Sequence, residues 1–276
     1  MIPRAPLIAP AGRWSDLTRR MGSGLVLLIV GVALLVSHGL WMQLGVAILF
    51  GGLMWELVRL TAGRVPSSRA PRHALLVALV SAAALLVIML EHGLAAWPLI
   101  LAPILAAWRG IAPAFRVAFV LFTLGMALAA DGLAWIREGV GLATALWIVA
   151  TVVQSDVLGY FVGRSVGGPK FWPSLSPKKT WSGTAAGWVG AALLALGLVA
   201  VGKAGWGAVV LGPMLALAGQ MGDIAESWLK RRAGAKDSSD LIPGHGGLMD
   251  RFDAMTGALA AAFLIGLVAG LPRIGG

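Results

Sequence analysis

Apolar runs long enough to cross a bilayer dominate this chain. They fall at roughly 22–37, 40–60, 74–90, 94–108, 114–132, 139–162, 183–202, 205–229 and 253–271. A spanning helix needs about 20 such residues, so the pattern predicts about nine transmembrane helices and an all-α, polytopic integral membrane protein. The run at 94–108 is short and interrupted by Pro98 and Pro103, so it reads as a re-entrant segment or half of a hairpin. No internal repeat, low-complexity tract or second soluble domain is visible. Residues 1–276 read as one membrane domain, with about five spans in 1–135 and the polar loops 163–182 and 230–252 within 136–276. Residues 1–21 form a Pro- and Arg-bearing arm in which Trp14 and Ser15-Asp16 suit the cap of a short interfacial helix, and a disordered tail fits equally. Ser67-Ser68, between Pro66 and Pro71, marks an ordinary loop.

Charge orients these helices. With the N-terminus inside, nineteen of the 22 Lys and Arg residues fall in inside segments, and Arg137, Lys203 and Arg273 fall outside. The positive-inside rule favours that arrangement. It places both basic loops on the cytoplasmic face and the C-terminus on the opposite side. No small-residue cleavage site follows the first apolar run, so the N-terminus is expected to be uncleaved and cytoplasmic. The expected home is the cytoplasmic (plasma) membrane.

Composition narrows the chemistry. Hydrophobic residues make up 58% and charged residues only 12%, which excludes an ordinary soluble domain. Cysteine is absent, which excludes disulfides, a Cys-bound zinc and a thiol nucleophile. The net charge is +10, and its bases lie between apolar spans. Lipid headgroups and nucleotide phosphates are therefore the expected partners, rather than nucleic acid.

Against this apolar background, residues 222–253 hold six of the twelve carboxylates: Asp223, Glu226, Asp237, Asp240, Asp250 and Asp253. Asp223, Glu226, Ser227 and Lys230 are spaced to share one helix face. Pro243-Gly244-His245-Gly246-Gly247 cannot continue a helix and reads as a tight turn with exposed N–H groups. Asp250 and Asp253 open the next helix, where the dipole favours acids. Acids there suit a divalent metal and bases suit phosphate.

Residues 154–184 form a second constellation. Asp156 lies near the cytoplasmic end of a span. Gly159 and Gly163 allow a neighbouring helix to approach closely, and Tyr160 reads as packing. Ser176-Pro177-Lys178-Lys179-Thr180 forms a cation pair at a helix start, with Thr180 or Ser182 as cap. Read alone, this pair is a topogenic basic loop. Glu56 in the second span reads as a partner of Arg59. His38, His73 and His92 lack metal-ligand spacing.

The pattern Ser227-x-Leu229-Lys230-Arg231, Lys236-Asp237, then Pro243-x-His245-Gly246-Gly247-Leu248-x-Asp250-Arg251-Phe252-Asp253 resembles the signature of the phosphatidate cytidylyltransferases, also called CDP-diacylglycerol synthases. Ser176-Pro177-Lys178-Lys179-Thr180-Trp181 resembles a second block of that family, which usually has Glu where this chain has Ser182. The resemblance implies that CTP and phosphatidate become CDP-diacylglycerol and pyrophosphate, with Mg2+, as one ion or two. Asp223 and Asp250 are then the expected metal ligands, with Asp253, Asp237 and Asp156 further out. Lys230, Arg231, Lys236 and Arg251 are expected to grip CTP or lipid phosphate, with Lys178 and Lys179 neutralising from the facing loop. Ser176, Thr180, Ser227, Gly246 and Gly247 complete the expected phosphate-binding set, and His245 is a donor or general acid. The resemblance is compatible with a homodimer. Two other readings remain: a CTP-dependent polyprenol or phytol kinase, and a transporter or lipid-binding scaffold.

Overall fold

The computed structural model describes residues 13–62, 70–91 and 93–275. The first twelve residues of the N-terminal arm, the Ser67-Ser68 loop and His92 lie outside the described residues. The chain forms α1 (Arg13–Val36), α2 (Gly39–Thr61) and α3 (Ala70–Glu91). A 3-10 segment, Leu94–Ile100, leads into the short α4 (Leu101–Ala107). Then come α5 (Arg116–Trp135), continued by a π turn at Ile136–Val140, and α6 (Leu142–Ser165). A hairpin of β1 (Lys170–Trp172) and β2 (Ser176–Thr180) precedes α7 (Trp181–Ala200), α8 (Gly207–Arg232) and α9 (Met249–Ala269).

Among the described residues, seven helices are long and apolar enough to cross a membrane, and two apolar stretches, Met21–Val36 and Ala95–Ala107, are shorter. The chain is thus an all-α, polytopic integral membrane protein. The interruption expected at 94–108 is real: Pro98 sits inside the 3-10 segment, where its missing N–H and fixed φ prevent a continuous helix.

The loop at 163–182 departs from the sequence reading. It is an antiparallel hairpin with Lys170 opposite Thr180 and Trp172 opposite Ser176. Phe171 packs edge-on against Trp181, with ring centroids 4.6 Å apart. The hairpin fixes where Lys178 and Lys179 lie, which a free loop would not.

Two large apolar clusters, with a small third at Val152, Ala254 and Ala258, hold the bundle. One joins Phe50, Leu57, Leu85 and Phe119 of α2, α3 and α5 to Leu229 and Met249 at the ends of α8 and α9. The other joins Ile148, Leu211, Leu215 and Leu259 across α6, α8 and α9. In lipid, helices associate mainly through close packing, so small residues mark the tightest crossings. A Cβ on Gly163 would meet the Cα of Gly183 at 3.5 Å, so the expected approach between α6 and a neighbour is the α6–α7 crossing. A Cβ on Gly222 would meet Gly257 N at 3.1 Å and Cα at 3.2 Å, which sets the α8–α9 crossing.

That crossing carries the acids of both helices, so it should be intolerant of bulk. Gly222→Val is expected to cost about 1–3 kcal/mol through overpacking against backbone. Thermal unfolding of the purified protein in detergent should show a lowered midpoint.

Candidate active site

The site is assembled where α8 ends and α9 begins, and Lys179 of the hairpin reaches Asp223 of α8. Two buried carboxylates shape it. Glu56, fully buried in α2, accepts from Ser239 Oγ (2.5 Å), Ser238 Oγ (3.1 Å), Leu248 N (2.8 Å) and Met249 N (2.7 Å). Asp250 Oδ2 accepts from Ser238 N (2.8 Å), Ser238 Oγ (2.9 Å) and Gly247 N (2.8 Å), and Oδ1 lies 2.5 Å from Lys230 Nζ. The free N–H groups at the start of α9 are thereby satisfied by carboxylates, the arrangement that helix ends favour.

This corrects the reading of Glu56. Its partners lie in the loop of residues 238–249, and Arg59 lies instead over the Trp55 ring at 4.3 Å. An i,i+3 spacing allows an ion pair, but burial of Glu56 without Arg59 leaves loop amides and hydroxyls as its donors. The available signal was an acid inside an apolar span. Nothing in sequence distinguished Ser238 and Ser239 from ordinary loop serines.

The glycines explain themselves here. Gly246 has φ +83°, and a Cβ there would lie 2.8 Å from Asp250 Oδ2. A Cβ on Gly247 would lie 2.7 and 2.9 Å from the two Glu56 oxygens. The turn closes through Ile242 N to Gly246 O (2.8 Å) and His245 N to Ile242 O (2.9 Å). His245 Nδ1 is 2.6 Å from Ser23 Oγ of α1, a partner that sequence reasoning missed. Arg251 Nε donates to His245 O (3.1 Å), bracing the turn.

A second group gathers along α8. Asp223 pairs with Lys179 at 2.5 Å and accepts from Ser227 Oγ at 3.4 Å. Glu226 is buried, lies 3.4 Å from Lys230 Nζ, and among the described residues has no hydrogen-bond donor on either oxygen. The carboxyl of Asp253, from the facing helix, lies beside it. Asp253 Oδ1 accepts from the adjacent Ala254 N (2.8 Å). Two carboxyls facing each other in an apolar bundle require a shared proton or a cation. Among the described residues no three His, Asp or Glu side chains converge into a ready-made metal cage. Mg2+ typically takes one or two protein carboxylates and fills its shell with water and substrate phosphate, so this donor set fits it.

Two clefts flank α8. One, of about 530 Å3, is lined by Asp156, Lys170, Lys178, Lys179, Gln220 and Asp223. Gln220 is held by Trp188 Nε1 (2.9 Å) and Ser155 Oγ (3.2 Å). Thr180 Oγ1 accepts from Gly183 N (3.2 Å), so Thr180 is the cap of α7. Ser182 donates to Gly167 O, fastening the hairpin. The other cleft, about 350 Å3, is lined by Leu53, Leu121, Phe122, Met126, Trp228 and Met249, with Glu226 and Asp253 in its wall.

The predicted residues are therefore divided. Asp156, Asp223, Lys178, Lys179 and Thr180 share the polar cleft, with Ser176 at the start of β2. Lys230, Asp250, Gly246 and Gly247 form the turn and its anchor, and Ser227 is bound to Asp223. Arg231 and Lys236 are exposed around the end of α8, and Asp237, also exposed, lies with its Cβ beside Gly246 of the turn.

The chain matches the cytidylyltransferase family over residues 18–268. The chain belongs to that family. It is 46% identical over 140 residues to a phosphatidate cytidylyltransferase of Brucella abortus biovar 1 (strain 9-941), covering 50% of this chain and 52% of the relative. It is 40% identical over 129 residues to one of Helicobacter pylori (strain ATCC 700392 / 26695), covering 45% of this chain and 48% of the relative. It is 40% identical over 120 residues to one of Mycobacterium tuberculosis (strain ATCC 25618 / H37Rv), covering 43% and 37%. The chain thus spans about half the length, or less, of the curated relatives it matches. The stretch that resembles the family's signature contains the loop that Glu56 and Asp250 hold in place.

Because Glu56 anchors that loop from another helix, with Leu248 N on one oxygen and Met249 N on the other, Glu56→Gln should leave one of these two amides, and the serine hydroxyl beside it, facing an NH2 donor. A cost of about 3 kcal/mol is expected from the unsatisfied groups. Hydrogen exchange should quicken at residues 238–249 while α6 and α7 keep their protection.

Proposed function

We propose that the protein transfers the cytidylyl group of CTP to the phosphate of phosphatidate, forming CDP-diacylglycerol and pyrophosphate. The observation that carries this reading is the pair of clefts of opposite character on the two sides of α8, joined at the acids of its cytoplasmic end. A triphosphate fits the polar cleft, where Lys170, Lys178 and Lys179 provide cations. An acyl chain fits the apolar one. The family match and the names of the relatives point to the same reaction.

In this reading an oxygen of the lipid phosphate attacks the α-phosphorus of CTP. The bond from that phosphorus to the α,β-bridging oxygen breaks, and pyrophosphate leaves with the electron pair. Both reactants are anionic, so charge neutralisation and in-line placement supply the rate. Asp253 and Glu226 would hold Mg2+, with Asp223, Asp250 and Asp156 further out. When bound, Mg2+ would neutralise the phosphates between which charge moves. Lys179 bridges Asp223 and the polar cleft, so it can pass from the carboxylate to a phosphate oxygen as substrate arrives. Lys230, held between Glu226 and Asp250, keeps a fixed positive charge beside the acids. The His245 ring would donate to a phosphate, whereas the amides of His245 and Gly247 are already committed to Ile242 O and Asp250. The N-terminus and both loops lie on the cytoplasmic side in this reading, where CTP is available.

The test uses purified protein in detergent with phosphatidate and CTP labelled either in cytidine or at the γ-phosphate. Cytidine label in the lipid, abolished by chelating divalent cations, is the expected result. Label from the γ-phosphate in the lipid would instead establish a lipid kinase. Lys179→Ala is expected to lower kcat/KM by about 10^2-fold or more, from loss of a positioned charge.

A further inference from the structure

Three arginines at the cytoplasmic end of the bundle rest on aromatic rings and on no carboxylate. Arg232, the last residue of α8, lies over Trp228 (5.3 Å) and Phe115 (5.8 Å). Arg116, the first residue of α5, lies over Trp108 (4.8 Å). Arg59, near the end of α2, lies over Trp55. Among the described residues none of the three is ion-paired; the acids there pair with Lys179 and Lys230. Arg116 Nε is buried without a hydrogen-bond acceptor.

These side chains belong to one rim. Ala112 N donates to Thr61 O (3.1 Å), tying the end of α2 to the segment that enters α5. Arg232 reaches Phe115, tying the end of α8 to the same segment. The apolar cleft opens beside that rim: Trp228, under Arg232, lines it. Leu121 and Phe122 line it too, about 8 Å along α5 from Arg116 by helical rise. Interfacial anchors would be spread around the bundle. Here unpaired guanidiniums and the cleft for an apolar chain coincide.

We propose that Arg116 and Arg232, with Arg59 at the edge, form the landing site for the phosphomonoester headgroup of the lipid substrate while one acyl chain occupies the cleft between Leu121, Met126 and Trp228. The proposal rests on the cytidylyl-transfer reading only in naming that lipid as the substrate. A guanidinium stacked on a ring keeps its planar fork of N–H donors at its edge, the geometry that grips phosphate oxygens in pairs. A lipid phosphate is complementary to both halves of the site, the cationic rim and the apolar cleft. CTP has its own cations on the other side of α8. The same wall that borders the cleft carries Glu226 and Asp253, so a lipid seated there has its headgroup beside the acids.

The test is retention of lipid by the full-length protein in detergent, measured by native mass spectrometry. Phosphatidate competes with phosphatidylglycerol of identical chains, a diester with one charge fewer. The parent should favour phosphatidate by roughly fivefold or more, and Arg116→Gln/Arg232→Gln should lose that preference. The double Lys variant, with charge but no fork, should fall between. In turnover assays the Gln variant should raise KM for phosphatidate about tenfold, with kcat and the KM for CTP unchanged within about twofold. No preference in the parent overturns the proposal. So does equal retention by a Gln variant that melts like the parent, or an equal rise in the KM for CTP. Retention that depends on the arginines in a protein that transfers no cytidylyl group would uphold the landing site and refute the reaction.

Discussion

A carboxylate buried in an apolar bundle must find donors, and here that requirement builds the loop. Glu56 and Asp250 lie on different helices and share the hydroxyl of Ser238 between them. Together they collect backbone amides of Ser238, Gly247, Leu248 and Met249 and the ammonium of Lys230. The Gly-rich turn therefore stands in one conformation between two anchors, instead of sampling many as an exposed loop would. Its glycines are required because side chains there would occupy the space of the carboxylate oxygens. Removing either anchor leaves several donors without acceptors at once, so the two act as a unit.

With the turn fixed, α8 becomes a partition. Its Gln220 and Asp223 face the polar cleft, and Gly222, Ala225 and Glu226 face the apolar one. An i,i+3 spacing thus places neighbouring acids on the walls of two compartments while keeping them within electrostatic reach. The close α8–α9 crossing at Gly222 and Gly257 brings Asp253 to the same level. The proposed reaction, which joins a water-soluble nucleotide to a lipid, needs such a place, where a polar and an apolar compartment share reacting charge. Lys179 and Lys230 keep the acids partly neutralised from opposite sides.

Much of this was legible in the sequence because lipid imposes simple rules. Apolar run length located the helices, although seven rather than nine of them are long and apolar enough to cross a membrane among the described residues, and Pro98 and Pro103 marked the broken one. The crowding of Asp223, Glu226, Asp250 and Asp253 into a short stretch located the acids, and the family's spacing located the turn. The hairpin at 170–180 was not legible, since Lys-Phe-Trp and Ser-Pro-Lys-Lys-Thr carry no alternation that would mark strands. The role of Glu56 was hidden because its donors are almost two hundred residues away in the chain. The separate jobs of Asp250 and Asp253 could not be read either. Both open the same helix three residues apart, and only their partners differ: one is surrounded by donors, the other faces Glu226.

That difference is the central physical claim, and thermal unfolding of Asp250→Asn beside Asp253→Asn, with and without Mg2+, tests it most directly. Asp253→Asn relieves two facing carboxyls, so it should melt no lower than the parent while losing any stabilisation by Mg2+. Asp250→Asn removes the anchor of the turn and the partner of Lys230, so it should melt several degrees lower, consistent with a loss of about 3 kcal/mol. An Asp250→Asn protein as stable as the parent, or an Asp253→Asn protein that melts lower and keeps its response to Mg2+, would contradict the division of labour.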